Sequence, residues 1–135
     1  MSAEIRRRCR TVEECYEFML AYAAQGVSSG DGSQSGGRIR EVLQQAVEAL
    51  SGLADACVSA VNADPGESAD KYLAFLAVLD RDADDSIRTI ELVLAQPTIS
   101  SQLIDNLNAS IHLRALLTDL FLIDEILKAR TAASI

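Results

Sequence analysis

The chain has no tryptophan, one histidine, two prolines and three cysteines in 135 residues, and only 4% of its residues are aromatic. So few aromatic rings leave no stacking platform for bases or sugars. Cys9, Cys15 and Cys57 are odd in number and form no CxxC or Cys/His cluster, which argues against both a disulfide framework and a zinc site. A lone histidine rules out the di-iron pattern of helical bundles, which needs Glu-x-x-His on two helices. No apolar run approaches the ~18 residues of a membrane-spanning helix. The first residues, Met-Ser-Ala-Glu-Ile-Arg-Arg-Arg, lack the apolar segment that follows the arginines of a secretory signal. A cytoplasmic location is therefore expected, without membrane contact. Positive charge is also scarce: the net charge is −8 and the pI about 4.5. Such a surface repels phosphate backbones, so nucleic acid is not an expected partner.

What is present is helix-forming. Apolar residues make up 49%, charged residues 24%, and alanine and leucine dominate. Five of the seven glycines fall between residues 26 and 37, so the chain elsewhere is nearly free of breakers. The expected fold is all-α, an antiparallel four-helix bundle of the up-down type with a long Gly/Ser loop after the first helix. Residues 1–10 read as a basic arm carrying Arg6, Arg7, Arg8 and Arg10, residues 11–129 as the bundle, and residues 130–135 as a tail. Thr11-Val12-Glu13-Glu14 has the form of a capping box opening a helix over 11–25. After the loop at 26–37, Ile39, Leu43, Ala46, Leu50, Leu53 and Cys57 recur every three or four residues, predicting one helix over 38–62. Asp64-Pro65-Gly66-Glu67 ends it and offers a cap for a third helix over 66–96, whose middle is the acidic run Asp80-Arg81-Asp82-Ala83-Asp84-Asp85. Pro97 stops that helix, and Thr98 to Ser101 supplies caps for a fourth running to about 129.

The fourth helix differs from the others. Leu113, Leu116, Leu117, Leu120, Phe121, Leu122, Ile123, Ile126 and Leu127 wrap most of its circumference, whereas a bundle helix shows its core only a stripe. The surplus predicts an interface, and Leu113, Leu116, Leu117, Leu120, Phe121, Ile123 and Leu127 are its expected residues, with a second copy of the chain as partner. Another protein is the other expected kind of partner.

Four constellations could carry chemistry. His112 shares a helical stripe with Asp105, Asn108 and Asp119, the arrangement in which a carboxylate orients an imidazole; the plain alternative is a solvated helix face. Gly36, Gly37, Arg38 and Arg40 place free amides and two guanidinium groups at a helix start, an anion site if the helix begins there. Cys9 lies among arginines that would lower its pKa if it were exposed, while Cys15 and Cys57 fall on apolar stripes. Glu13, Glu14 and Glu17 form a Glu-Glu-x-x-Glu cluster. It is similar to the one with which all-α nucleotide pyrophosphohydrolases of the MazG type hold magnesium. That likeness implies a metal-dependent hydrolase, with Asp80 and Asp84 as the only dense acidic partners. The second acidic pair of those enzymes is missing, since the next helix offers Glu41-x-x-Gln44 and Glu48.

The sequence thus points to a small helical interaction module, an adaptor, chaperone or accessory subunit that self-associates through its last helix and uses no cofactor. A metal-dependent hydrolase and a small-anion or small-ligand binder are the alternatives.

Overall fold

The computed structural model describes residues 3–26 and 34–133, with the side chains of 34–36 and 127–133 excepted. Every regular element among them is a helix: α1 (Ala3–Ala24), α2 (Gln34–Leu50), α3 (Leu53–Ala63), α4 (Ala69–Leu94), α5 (Ser101–Ala109) and α6 (Ile111–Ala133). The all-helical class is as expected, but two of the four expected helices are broken, so six helices stand among the described residues.

The first break lies at Ser51-Gly52, between α2 and α3. Arg8 explains it. Its guanidinium donates to the carbonyls of Glu48 and Ala49, both at 3.0 Å, so a cation from α1 closes the exposed carbonyl end of α2. A Cβ placed on Gly52 would lie 2.9 Å from Arg8 Nη2, so any side chain here would make the guanidinium shift. The second break lies at Ser110, whose extended backbone separates α5 from α6. Its amide donates to Leu107 O, and its hydroxyl accepts from Leu113 N at 3.3 Å. One serine therefore ends one helix and starts the next.

Four boundaries differ from the sequence reading. The basic residues 3–10 are helical, because Ile5 is buried and anchors them in the core. Thr11 is accordingly inside α1, its hydroxyl bonded to Arg7 O, and not a cap. Helix α4 starts after Ser68 rather than at residue 66. Residues 130–133, expected in a tail, belong to α6. The expected Gly/Ser loop is shorter at its far side, where α2 already begins at Gln34; residues 27–33 lie outside the described residues. Gly26 ends α1 at φ 71°, a conformation that favours glycine. The acidic middle of α4 is continuous helix.

One core holds the elements together. Helix α1 packs on α2, α5 and α3, while α4 packs on α3, α6 and α2 and touches α5. Tyr22, Met19, Ile39, Leu43, Leu53, Leu79, Ile90, Ile104 and Leu116 are its most enclosed large side chains. Polar bonds pin the helices at their ends. Tyr22 Oη donates to Ile99 O, and Ser101 Oγ donates to Tyr22 O at 2.6 Å, tying α1 to the start of α5. Arg40 of α2 donates to Leu94 O, Gln96 O and Pro97 O at 2.7–3.0 Å, closing the carbonyl end of α4. Charge-assisted bonds of this kind contribute about 1.5–3 kcal/mol each at most. Arg40→Ala should lower folding stability by roughly 2 kcal/mol in urea unfolding, and Arg40→Lys should recover little, because an ammonium cannot fork across three carbonyls. Equal stability of Arg40→Lys and the parent would contradict this role.

Candidate functional site

The densest polar seam among the described residues runs between α4 and α6. Asp82, Asp85 and Ser86 come from α4, and His112 and Asp119 from α6. As numbers rise along α4 they fall along α6, so the two helices are antiparallel. Ser86, only 1% exposed, donates its hydroxyl to the main-chain carbonyl of His112 at 3.1 Å. His112 Nδ1 lies 3.9 Å from Asp85 Oδ2 on the open side, an ion pair when the imidazole is protonated. A serine, a histidine and an aspartate are thus close together, yet the serine hydroxyl is spent on a carbonyl and sealed from solvent. This is no nucleophile–base pair.

At the other end of the seam stands a carboxyl pair. Asp119 is 7% exposed, and its Oδ2 has no hydrogen-bond partner. Burial, a hydrogen bond with the Asp82 carboxyl and the Asp82 charge push the Asp119 pKa up to about 7. A carboxyl withdrawn from water beside a second carboxyl favours its protonated form. The sequence placed Asp119 on a solvated stripe and treated Asp82 as part of an acidic run, so this pair was missed. The available signal was positional: Asp119 sits between Leu116 and Leu120 on an otherwise apolar helix.

The other candidates are dispersed. Ser110 breaks the expected stripe, leaving Asp105 exposed and Asn108 buried on α5 while His112 and Asp119 stand on α6. The amide of Asn108 is buried without a hydrogen-bond partner. The anion site does not assemble. Helix α2 begins before Gly36 and Gly37, Arg40 is bound to the end of α4, and Arg38 is exposed, 3.8 Å from Glu41 and 5.8 Å from the centre of the Phe18 ring. Glu13, Glu14 and Glu17 are exposed on α1, well inside the helix, and α1 does not pack on α4, which carries Asp80 and Asp84. Asp84 instead pairs with Arg88 at 3.2 Å. Among the described residues no group of three or more His, Cys, Asp or Glu converges where it could hold a metal ion.

The Cys9 thiol is also corrected. Burial first, then Cys57, Glu13 and Asp124, push its pKa up to about 11, the reverse of the activation its arginine neighbours suggested. Burial raises Cys57 to about 11 as well, and Cys15, which donates to Val42 O at 3.3 Å, likewise. A cleft of about 570 Å³ opens between α1 and α2, with Cys15, Val42 and Ala49 among its lining residues and Arg7, Arg8, Arg38, Glu14 and Glu48 bringing both signs of charge to it. Its mixed charge selects no ligand.

The interface expected on α6 divides in two. Leu113, Leu116, Leu117 and Leu120 are 0–6% exposed within their own chain and are core residues, not interface. Ile123 is half-buried, the Leu127 side chain lies outside those described, and Phe121 is exposed. The surplus therefore survives at Phe121, 59% exposed, and at three positions outside the expected set: Ile111 is 75% exposed, Leu122 48% and Ile126 45%.

No protein-family model, curated protein or solved structure matches the chain. No described helix is long and apolar enough to cross a membrane.

The carboxyl pair makes stability depend on pH in a defined direction. Between the ordinary aspartate value of about 3.8 and the raised value of about 7, the folded chain keeps a proton that the unfolded chain has released. Asp119 therefore contributes a stability that declines as pH rises through that window and levels off above it, with a slope of at most about 1.4 kcal/mol per pH unit. Asp119→Asn should remove this slope and raise the melting temperature at pH 8. An unchanged slope in the variant would show that Asp119 does not keep that proton.

Proposed function

We propose that the chain is a helical interaction module that self-associates through the outer face of α6. The observation that carries this reading is where the exposed apolar surface lies. Of the six large apolar side chains exposed among the described residues, four stand on α6, and only Leu20 and Leu92 stand elsewhere. Single exposed apolar side chains are ordinary, whereas several on one helix mark a surface that a partner covers. The core side of α6 is already filled by Leu113, Leu116, Leu117 and Leu120, so the outer side chains have no place left inside their own chain.

This reading differs from catalysis in what it requires. A docking helix needs a fixed apolar face, and the Arg40 and Tyr22 bonds and the core leucines hold the frame behind it. An enzyme needs a reactive group at an accessible place, and the Cys15 and Cys57 thiols and the Ser86 hydroxyl are buried, while Cys9 is half-buried with its pKa raised. An adaptor, chaperone or accessory-subunit role fits such a surface.

The test separates outer from inner positions. Leu122→Glu with Ile126→Glu should yield monomers in gel filtration while leaving helical circular dichroism and melting temperature close to those of the parent. Leu116→Glu should instead abolish folding, because burying one unpaired carboxylate costs several kcal/mol. Dimers that persist in the Leu122/Ile126 double variant would remove the support for this reading.

A further inference from the structure

The outer face of α6 has a pattern of its own. At 3.6 residues per turn, Ile111, Ala115, Leu122 and Ile126 fall within about 60° of one another and roughly opposite the core leucines. Their spacing alternates in the manner of a helix that pairs with another helix, each side chain a turn or two from the next. Thr118 lies at the edge of this stripe in its middle, and it adds no bulk or charge there. Its hydroxyl is already bonded to Arg114 O at 3.0 Å.

One flank of the stripe carries Arg114, Phe121 and Glu125, all exposed. Between Arg114 and Glu125 the charge along that flank passes from positive to negative, before Lys128 follows three residues further on. A like helix running in the opposite direction complements it. In such a pair a two-fold axis crosses the helices near Thr118 and brings the same flank of each copy together in reverse order. Ile111 of one copy then faces Ile126 of the other, and the small Ala115 faces the larger Leu122. Arg114 faces Glu125 twice, and the two Phe121 rings lie beside the axis. In a parallel pair opposite flanks meet, and Arg114 never reaches Glu125.

We propose that the partner covering this face is a second copy of the chain, docked by antiparallel pairing of the two α6 helices about Thr118. The inference rests on the self-association proposed above and adds its direction and register. The symmetry is closed, since every residue of the patch finds its counterpart in the same patch of the other copy. Apolar contacts along the stripe supply the affinity, and the Arg114–Glu125 pairs at the rim select direction.

Cysteine cross-linking reads the direction, on a Cys9→Ser background whose two remaining thiols, Cys15 and Cys57, are buried, with that background alone as control. Thr118→Cys alone should form a covalent dimer under mild oxidation. Ile111→Cys and Ile126→Cys should each cross-link poorly alone and efficiently when the two variants are mixed. Arg114→Glu and Glu125→Arg should each weaken self-association roughly threefold to tenfold, and the double exchange should restore it. Efficient cross-linking of Ile111→Cys and Ile126→Cys each with itself would establish a parallel pair and overturn the proposal while leaving self-association standing. A dimer in which none of the three variants cross-links would overturn it too, by placing the contact elsewhere. A parent chain monomeric at all concentrations would overturn both readings.

Discussion

Helix α6 is apolar on two opposite sides, and one chain can enclose only one of them. Leu113, Leu116, Leu117 and Leu120 fill the inner side against α4 and α5, while Ile111, Leu122 and Ile126 stand in water on the other. Withdrawing the exposed side chains from water is worth about 1.5–3 kcal/mol for each one fully buried. That is a substantial fraction of the stability of a domain this small. The rest of the molecule can be understood as the frame that presents this helix.

The frame is held at helix ends as much as in the core. Arginines from α1 and α2 reach across to the carbonyl termini of α2 and α4, and Ser100 and Ser110 cap the starts of α5 and α6. These bonds satisfy groups that every helix leaves open. They also convert cations that look like surface charge into internal fasteners. The polar seam between α4 and α6 belongs to the same logic: Ser86 bonds the first turn of α6, and Asp119, buried beside Asp82, favours its protonated form.

Much of this was legible from periodicity. The helical class, the stripes of Ile39 to Cys57 and Leu76 to Leu94, and the part of α1 from Val12 onward all follow from spacing that local physics enforces. Helix breaks were not legible, because Gly52 and Ser110 act through partners distant in sequence or through a double cap, and neither interrupts the apolar pattern. Arg8 and Arg40 were assigned to an arm and an anion site for the same reason: a side chain's charge is local, but the carbonyl it seeks lies about forty to fifty residues away in the chain. The apolar excess of the last helix was visible in composition along the wheel. Which leucines form the excess was not, since that depends on which side α4 covers. The carboxyl pair required knowing that Asp82 and Asp119 meet.

The central claim is that the outer face of α6 is covered by another copy. Sedimentation equilibrium of the unaltered chain over a range of concentrations tests it most directly. With a closed pair through α6, the apparent mass rises from the single-chain 14.5 kDa to twice that value and stops there. A mass fixed at that of one chain throughout, or one that climbs without limit, would contradict a closed pairing through this helix.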